Sequence, residues 1–270
     1  MPERPTWQRF LELHRRGSPL VMPNPWDVGS AKLLAALGFE ALATTSSGYA
    51  GTLGRFDGGV SRDEAIAHVG AIARATDLPV SADLENGFAD DPAGVAETMR
   101  LAAAVGLAGC SVEDYSRGDD AALYPADLAA ERVSAAAEAA HGGATRLVLT
   151  ARAENFLRGR RDLSDTIARL QSFQLAGADV VYAPGLSDLR DIEAVVASVD
   201  VPVNVLILPG GPTVAQLASV GVARVSVGGA FYLVAHGAVV NAARALLAGG
   251  THDFWEVAGA GRAAQRDAFD

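Results

Sequence analysis

The sequence predicts a (β/α)₈ barrel, and three observations support that prediction. Eight apolar runs of strand length alternate with alanine-rich helical segments along the 270 residues. The short joints that lead from helix to strand repeat the same Gly pattern. Acidic segments follow three of the predicted strands at intervals of about 30 to 40 residues, which is the length of one βα unit. A doubly wound open sheet is the alternative, but no Gly-x-Gly-x-x-Gly follows the first strand.

The predicted elements follow in a regular order. The strands are predicted to end near Met22, Thr44, Ala82, Glu113, Ala151, Ala183, Leu206 and Val227. The helices between them are predicted to begin near Asp27, Ser61, Asp91, Asp127, Ser164, Ser187 and Thr213, and most of these are N-cap residue types. The strand runs are continuously apolar rather than alternating, as in parallel strands that are buried on both faces. Four joint glycines are predicted helix C-caps: Gly38, Gly106, Gly177 and Gly221.

Both ends of the chain carry helical patterns outside the eight repeats. Residues 6–16 predict an amphipathic helix before the first strand, and residues 230–247 predict a long helix after the eighth. We therefore place the barrel domain at residues 1–249. Residues 250–270, with Phe254 and Trp255 near their start, predict a helical extension that packs on a neighbouring subunit.

Composition excludes several classes of partner. The formal net charge is −10 and there is no basic block, which argues against nucleic acid and anionic membranes. No apolar run is expected to reach the length of a membrane span, and the N-terminus lacks the order of a signal peptide. A cytoplasmic location is the resulting expectation. Cys110 is the one cysteine, so an internal disulfide is impossible, and we expect a buried, unreactive thiol.

The basic residues and histidines narrow the possible chemistry. Lys32 is the only lysine among 22 basic residues, and it lies at the start of a helix rather than at the end of a strand. A Schiff-base aldolase needs a buried amine beside its substrate, so that mechanism is not expected. The five histidines all fall in predicted helices, at their ends or in the tail, which argues against histidine acid–base catalysis. Carbanion chemistry here would therefore depend on a metal.

Charged residues mark the ends of three predicted strands. They form the segments Asp83-Leu84-Glu85, Glu113-Asp114 and Arg152-Ala153-Glu154. In a (β/α)₈ barrel all strand C-termini open onto one face, so these side chains should converge on one pocket. Carboxylate oxygens suit Mg²⁺ or, as a substitute, Mn²⁺.

Two further residues point to carboxylate binding at this face. Arg152 either contacts an anionic ligand or pairs with Glu113 or Glu154. Asn204, inside the seventh strand, should face the barrel interior, where its amide needs a partner such as a substrate carboxylate.

In these segments the chain resembles the isocitrate lyase/phosphoenolpyruvate mutase superfamily. The resemblance runs from about residue 23 to residue 229 and rests on the order and spacing of residues 53–57, 81–87, 111–114, 151–154 and 177–179. It implies a modified barrel whose eighth helix is exchanged with a partner subunit, giving homodimers and usually homotetramers. It also implies one Mg²⁺ at the strand C-termini.

The resemblance further implies roles for individual residues. Asp83 would bind the metal directly. Glu85 and Glu113 would hold metal-bound waters, and Asp57 would complete that shell.

Substrate contacts are implied in the same way. The loop at residues 44–48 resembles a cradle for one substrate carboxylate, in which Thr45, Ser46 and Ser47 supply hydroxyl donors. Arg152 resembles the arginine that contacts the substrate carboxylate and the enolate oxygen.

The loop after the fourth strand departs from both branches of that superfamily. Residues 115–124 lack the Lys-Lys/Arg-Cys-Gly-His run of the lyases and the Lys and Asn of the mutases. Tyr115 or a metal-bound water is then the best remaining proton donor. Asp114 either takes part in binding or fixes this loop. The arginine-rich run at residues 158–161 is expected to be a solvated loop that could meet an acidic neighbouring subunit.

These features predict an Mg²⁺-dependent lyase that breaks a C–C bond of a small 2-oxo or 2-hydroxy carboxylate through a metal-stabilised enolate. Phosphonopyruvate or phosphoenolpyruvate chemistry, as a mutase or hydrolase, is the first alternative. A 2-oxo-acid-binding protein that has lost its acid–base group is the second.

Overall fold

The computed structural model describes residues 5–118 and 121–269 and confirms the barrel. Eight parallel strands form one sheet in the order β1-β8-β7-β6-β5-β4-β3-β2. Their bounds are β1 Leu20–Met22, β2 Leu42–Ala43, β3 Val80–Asp83, β4 Gly109–Glu113, β5 Val148–Arg152, β6 Val180–Tyr182, β7 Val203–Leu206 and β8 Arg224–Ser226. The sheet order leaves β1 and β2 as its two ends, but the Ala43 amide donates to the Pro23 carbonyl at 3.0 Å and brings these ends together.

Helices connect these strands and flank the barrel at both ends of the chain. Their bounds are α1 Thr6–Glu12, α2 Val28–Ala36, α3 Ser46–Thr52, α4 Arg62–Ala73, α5 Pro92–Ala104, α6 Ala126–Gly142, α7 Leu163–Leu175, α8 Leu189–Ser198, α9 Val214–Ser219, α10 Ala230–Gly249 and α11 Trp255–Ala268. The hydrophobic core lies mainly between the strands and the surrounding helices.

The predicted joints and caps are present. The backbone φ angles are 90° at Gly38, 89° at Gly106, 103° at Gly177 and 84° at Gly221, a region in which residues with a Cβ are disfavoured. Asp27, Ser61 and Thr213 cap α2, α4 and α9 in reciprocal capping boxes. These three helices therefore begin where their own side chains satisfy exposed backbone groups.

Two helix ends differ from the sequence prediction, and one helix was not predicted. Helix α1 ends at Glu12 rather than at residue 16, and α10 continues to Gly249. Helix α3 was not predicted; it occupies most of the segment expected to be an open loop. Its seven residues include Gly48 and Gly51, which lower helix propensity.

Helix α1 closes the N-terminal end of the barrel. Phe10 is fully buried there and contacts the first residues of several strands. A Cβ at Gly109 would lie 2.8 Å from the Phe10 ring, so the start of β4 needs glycine at this close approach. His14 is also buried, and its Nδ1 lies 2.9 Å from the Phe10 carbonyl oxygen.

Helix α10 leaves the barrel surface after its first turn. Tyr232 packs over α3, where a Cβ at Gly51 would collide with its ring and hydroxyl. Most of the large apolar side chains beyond it are exposed, up to 87% for Leu247. Helix α11 returns to α2 of the same chain, where the Phe269 ring approaches Gly29. The exposed apolar surface of the C-terminal helices is therefore mainly on α10. Exchange of these helices between subunits stays a prediction.

The prediction that no apolar run reaches membrane length is wrong for α10. By length and composition alone, this helix could cross a membrane, and it is the one such helix in the part of the chain that the structure describes. Its single charged residue is Arg244. Length and composition do not distinguish a membrane segment from a helix that packs against another protein chain.

We expect His14 to make the protein sensitive to acid. Burial first, and then the neighbouring Arg224, lowers the pKa of His14 from 6.5 to about 3. In the unfolded chain His14 therefore takes up a proton below about pH 6.5, whereas in the folded chain it does so only near pH 3. Across this window the free energy of unfolding should fall by up to about 1.4 kcal/mol per pH unit. His14→Gln lacks this group, so urea unfolding at several pH values should show a weaker decline than in the wild type.

We expect the exposed surface of α10 to mediate self-association. Val234→Asp with Val239→Asp places two charges on that surface, at positions that are each 68% exposed in one chain. Light scattering after a sizing column should show smaller species than the wild type, because burying unpaired charge opposes association. A variant with Leu175→Asp, an exposed position at the end of α7, is the matched control and should keep the wild-type mass. An unchanged mass for the α10 variant would contradict this expectation.

Candidate active site

The strand C-termini surround a pocket of about 830 Å³. All ten residues that the sequence nominated line it: Thr45, Ser46, Ser47, Asp57, Asp83, Glu85, Glu113, Tyr115, Arg152 and Asn204. They come from five strands or from the loops that follow them. The convergence follows from the barrel, which brings residues distant in sequence to one face. Their individual roles stay predictions.

Arg152, at the end of β5, holds the acidic side chains of the pocket together. Its Nη1 lies 3.0 Å from Asp83 Oδ1, and its Nη2 lies 3.0 Å from Glu113 Oε2 and 2.8 Å from Glu154 Oε1. Burial lowers the pKa of Arg152, but Glu154, Glu113 and Asp83 together raise it well above its usual value. The guanidinium therefore stays charged and fixes the end of β5 to the ends of β3 and β4.

Glu113 lies in the most crowded part of this cluster. Its pKa is raised well above the usual value by burial and by the charges of Glu154 and Asp83, although Arg152 opposes the shift. Arg152 and Arg158 together bring two positive charges to the three carboxylates of Asp83, Glu113 and Glu154, which leaves negative charge in excess. The cluster therefore favours an additional cation.

Sequence reasoning missed Arg158 as a pocket residue. It was assigned to a solvated loop, but it lines the pocket, and its nitrogens lie 3.6 Å from Glu113 Oε1 and 3.4 Å from Glu154 Oε2. Its guanidinium also lies 3.9 Å from the centre of the Tyr115 ring. The i,i+4 spacing from Glu154 was the available signal for this contact.

Glu85 is held in an uncommon backbone conformation. Its φ is 49°, in the left-handed region that residues with a Cβ rarely adopt, and such strain costs on the order of 1 kcal/mol or more. Burial first, and also Asp83 and Asp57, raise the pKa of Glu85 to about 7, while Arg117 opposes the shift. Arg117 Nε lies 2.9 Å from Glu85 Oε2. Arg117, which the sequence offers as a possible phosphoryl contact from the loop after β4, is thus a pocket residue paired with Glu85.

The predicted carboxylate cradle is the start of a helix rather than an open loop. Thr45 is the N-cap of α3, and its Oγ1 accepts a hydrogen bond from the Gly48 amide at 3.3 Å. The Ser47 hydroxyl lies 3.1 Å from Thr45 Oγ1, so these two hydroxyls are paired. The Ser46 amide donates to Asp83 Oδ2 at 3.2 Å, which ties α3 to β3. The hydroxyls remain at the pocket wall in a fixed geometry.

Asp57 lies at the pocket mouth near this segment. Desolvation and the charge of Asp83 raise the pKa of Asp57, and a hydrogen bond from the Ser46 side chain partly offsets them. The loop after β2 thus brings Asp57 to the carboxylates of β3, as its predicted position in the metal shell requires.

Asn204 faces the barrel interior, as predicted, but its amide is already engaged. Its Nδ2 donates to Ser226 Oγ at 3.0 Å, and its Oδ1 accepts from Arg224 Nε at 2.9 Å. Its predicted contact with a substrate carboxylate is limited to the second N–H of the amide. Arg224 was not identified from sequence, although a basic residue inside an apolar strand was a visible signal.

Residues 119 and 120 of the loop after β4 lie outside the described residues. In the described part, the Tyr115 hydroxyl donates to the Ala121 carbonyl at 3.0 Å. Asp114 fixes this loop: its Oδ1 accepts from the Glu154 amide at 2.8 Å and its Oδ2 from Arg169 Nη1 at 2.9 Å. Arg169 also donates to the Tyr124 carbonyl at the far end of the loop. This arrangement favours the loop-fixing interpretation of Asp114.

The donor set suits a divalent cation, although the side chains are not arranged around one. Four carboxylates face the pocket, from Asp57, Asp83, Glu85 and Glu113, and hard oxygen ligands are those that Mg²⁺ prefers. Among residues 5–118 and 121–269, no three acidic, histidine or cysteine side chains are grouped closely enough to hold an ion as they stand. The arginines occupy that space. Both oxygens of Asp83 already accept hydrogen bonds, Oδ1 from Arg152 and Oδ2 from the Ser46 amide, so a cation would share this carboxylate with both donors.

Comparison with known proteins assigns this arrangement to a family. Residues 10–247 match the family Phosphoenolpyruvate phosphomutase. A solved Burkholderia cenocepacia protein, described as a candidate lyase/mutase, is 48% identical with a TM-score of 0.92, covering 97% of this chain and 94% of its own. An uncharacterised Mycobacterium tuberculosis protein is 36% identical over 88% of each chain. Oxaloacetate decarboxylase of Paraburkholderia xenovorans is 31% identical over 77% of this chain and 70% of its own.

We expect the Asp114–Arg169 pair to be necessary for stability. Both side chains are buried, so Asp114→Ala leaves Arg169 without one of its carboxylates and should lower the free energy of unfolding by about 3 kcal/mol. Urea unfolding measures this difference. Glu97→Ala, which breaks the exposed pair with Arg100, is the matched control and should cost less than about 1 kcal/mol. Equal losses for the two variants would contradict the assignment.

Proposed function

The chain belongs to the isocitrate lyase/phosphoenolpyruvate mutase superfamily, and on that premise we propose an Mg²⁺-dependent lyase that breaks a C–C bond of a small 2-oxo or 2-hydroxy carboxylate. One observation carries the proposal: Arg152 lies between Asp83 and Glu113 at the ends of three adjacent strands. The 31% identical oxaloacetate decarboxylase is a relative whose name gives a 2-oxo acid as its substrate. A cytoplasmic homodimer or homotetramer is part of the same proposal.

In this proposal the residues around the pocket bind and orient the substrate. Asp83 would hold the metal directly, with Asp57, Glu85 and Glu113 around it through water. When bound, the cation supplies Lewis-acid polarisation of the substrate's carbonyl group. The Ser46 and Ser47 hydroxyls at the pocket wall would hold the substrate carboxylate. Arg152 would donate to the oxygen on which negative charge develops as the C–C bond breaks, and such contacts typically contribute about 3 to 4 kcal/mol.

The final proton transfer is assigned to Tyr115. Its hydroxyl donates to the Ala121 carbonyl, and Arg158 lies over its ring. Breaking the bond to Ala121 frees the hydroxyl proton for transfer to the carbanion. A water in the pocket is the alternative donor.

Phosphoryl chemistry receives less support from the geometry. The described loop after β4 offers Ser116 and Arg117 for a phosphoryl group. Arg117 is bound to Glu85 and to the carbonyls of Gly58 and Val60, and the Ser116 hydroxyl accepts from the Ala122 amide. A phosphonopyruvate assay tests this alternative. Turnover assays with 2-oxo acids and Mg²⁺ distinguish the lyase from a binding protein without turnover.

We expect binding to require both the metal and the 2-oxo group. Calorimetry should detect Mg²⁺ in the wild type, no binding in Asp83→Ala and weaker binding in Glu85→Ala. With Mg²⁺ present, pyruvate, oxaloacetate and 2-oxoglutarate should bind roughly ten- to a hundredfold more tightly than propionate and succinate, because a plain carboxylate lacks the second chelating oxygen. Arg152→Ala should abolish this preference.

Glu138→Ala removes an exposed carboxylate of α6 and is the control that should behave like the wild type. Equal binding of 2-oxo acids and plain acids by the wild type would rule out the enolate mechanism. Mg²⁺ binding by Asp83→Ala at wild-type affinity would rule out the metal assignment.

A further inference from the structure

The interior of the barrel beneath the active site contains one buried arginine. Arg224, the first residue of β8, is 3% exposed and lines the floor of the pocket. Its guanidinium donates to Asn204 Oδ1 at 2.9 Å and to Thr150 Oγ1 at 3.0 Å. Its Nη1 lies 3.1 Å from His14 Nε2. All three partners are uncharged, since His14 is neutral at physiological pH.

This guanidinium has no counter-ion within the described residues. None of their ion pairs involves Arg224, whereas Arg152, Arg169 and Arg146 each contact at least one carboxylate. Burial lowers the pKa of Arg224 to about 10, and the one titratable neighbour that opposes this shift is the phenol of Tyr182. A buried charge without an opposite charge is strongly disfavoured, so its presence calls for a compensating group.

Two donors of Arg224 remain available for such a group. A guanidinium carries five N–H donors, and the three neutral acceptors use one on each nitrogen. The tautomer of His14 is fixed, because its Nδ1–H donates to the Phe10 carbonyl and its Nε2 accepts from Arg224. The second hydrogens on Nη1 and Nη2 are left for an anion.

The pocket reaches Arg224, and small side chains contribute to its lining. Ser81, Ser111 and Ser226 belong to this lining, where many barrels place branched apolar side chains. Thr150, which binds Arg224, precedes Arg152 by two residues on β5, a rise of about 6.6 Å. The two carboxyl carbons of a four- or five-carbon 2-oxo diacid lie roughly 4 to 5 Å apart. A diacid whose 2-oxo end lies near Arg152 therefore has the length to direct its other carboxylate towards Arg224.

We propose that Arg224, with Asn204 and Ser226, forms an anion subsite at the pocket floor that binds the far carboxylate of a 2-oxo diacid. This proposal rests on the proposed function, because that function places the 2-oxo end of the substrate near Arg152. It is independent of the loop after β4 and makes Arg224 a specificity-determining residue. Arg152 and the metal would select the 2-oxo acid, and Arg224 would select the diacid.

The test compares diacids and monoacids in variants of Arg224. With Mg²⁺ present, calorimetry should show that the wild type binds oxaloacetate and 2-oxoglutarate at least about tenfold more tightly than pyruvate. Arg224→Gln and Arg224→Met should lose this preference while the Kd for pyruvate changes by less than about threefold. Arg224→Lys keeps the charge and should keep most of the preference. Circular dichroism establishes that each variant is folded.

Arg146→Gln is the matched control, because it removes another partly buried arginine, paired with Asp179, outside the pocket lining. It should lower stability but keep the preference for diacids. A preference that survives in both neutral Arg224 variants would overturn the subsite, as would an equal loss of pyruvate and diacid binding.

Failure of the proposed function gives a different pattern. If pyruvate does not bind the wild type, the subsite is tested with succinate against propionate. Succinate binding that is lost in Arg224→Gln and kept in Arg224→Lys supports the subsite without the enolate mechanism. If the wild type binds succinate no more tightly than propionate, the subsite is overturned.

Discussion

The contacts of Arg152 with three carboxylates set the constraints on the rest of the pocket. Each carboxylate comes from the end of β3 or β4 or follows β5, so one guanidinium links three consecutive strands. Without it, Asp83, Glu113 and Glu154 would repel one another in a place that water reaches poorly. With it, the negative charge is still in excess, and burial together with the charges of Glu154 and Asp83 raises the pKa of Glu113 well above its usual value. The acidic side chains around Arg152 are thus held together by ion pairs, and their excess negative charge still favours binding of a cation.

Structure and proposed chemistry impose opposite demands on this cluster. The carboxylates are paired in the folded chain, while a cation held by Asp83 would compete with the contact between Asp83 and Arg152. Arg158 helps to reconcile the two demands, because it contacts Glu113 and Glu154, two of the three carboxylates that Arg152 also contacts. A set of exchangeable partners allows charge to be rearranged without leaving a buried group unpaired.

The strands and the pocket lining could be predicted from sequence because both follow from local patterns. Continuous apolar runs mark the strands, and barrel geometry then brings their ends together. Helix α3 escaped prediction because Gly48 and Gly51 are poor helix formers, and its packing depends on Tyr232, which is distant in sequence. The positions of Arg158 and Arg224 depend on side-chain reach within the folded barrel. The end of α10 was predicted two residues early because the Gly249-Gly250 pair indicates a helix end, and in the structure Gly249 still belongs to the helix and Gly250 is its C-cap.

The packing of Tyr232 joins two regions that the chain order keeps apart. This residue belongs to the first turns of α10, and it lies over the glycines of α3, whose Ser46 amide binds Asp83. A displacement of α10 would remove the ring that covers α3, and the Ser46 amide of α3 donates to one oxygen of Asp83. The position of α10 is therefore linked to the hydrogen bonding of Asp83 through one aromatic side chain, so a substitution of Tyr232 would be felt in the acidic cluster although this residue lies on an outer helix.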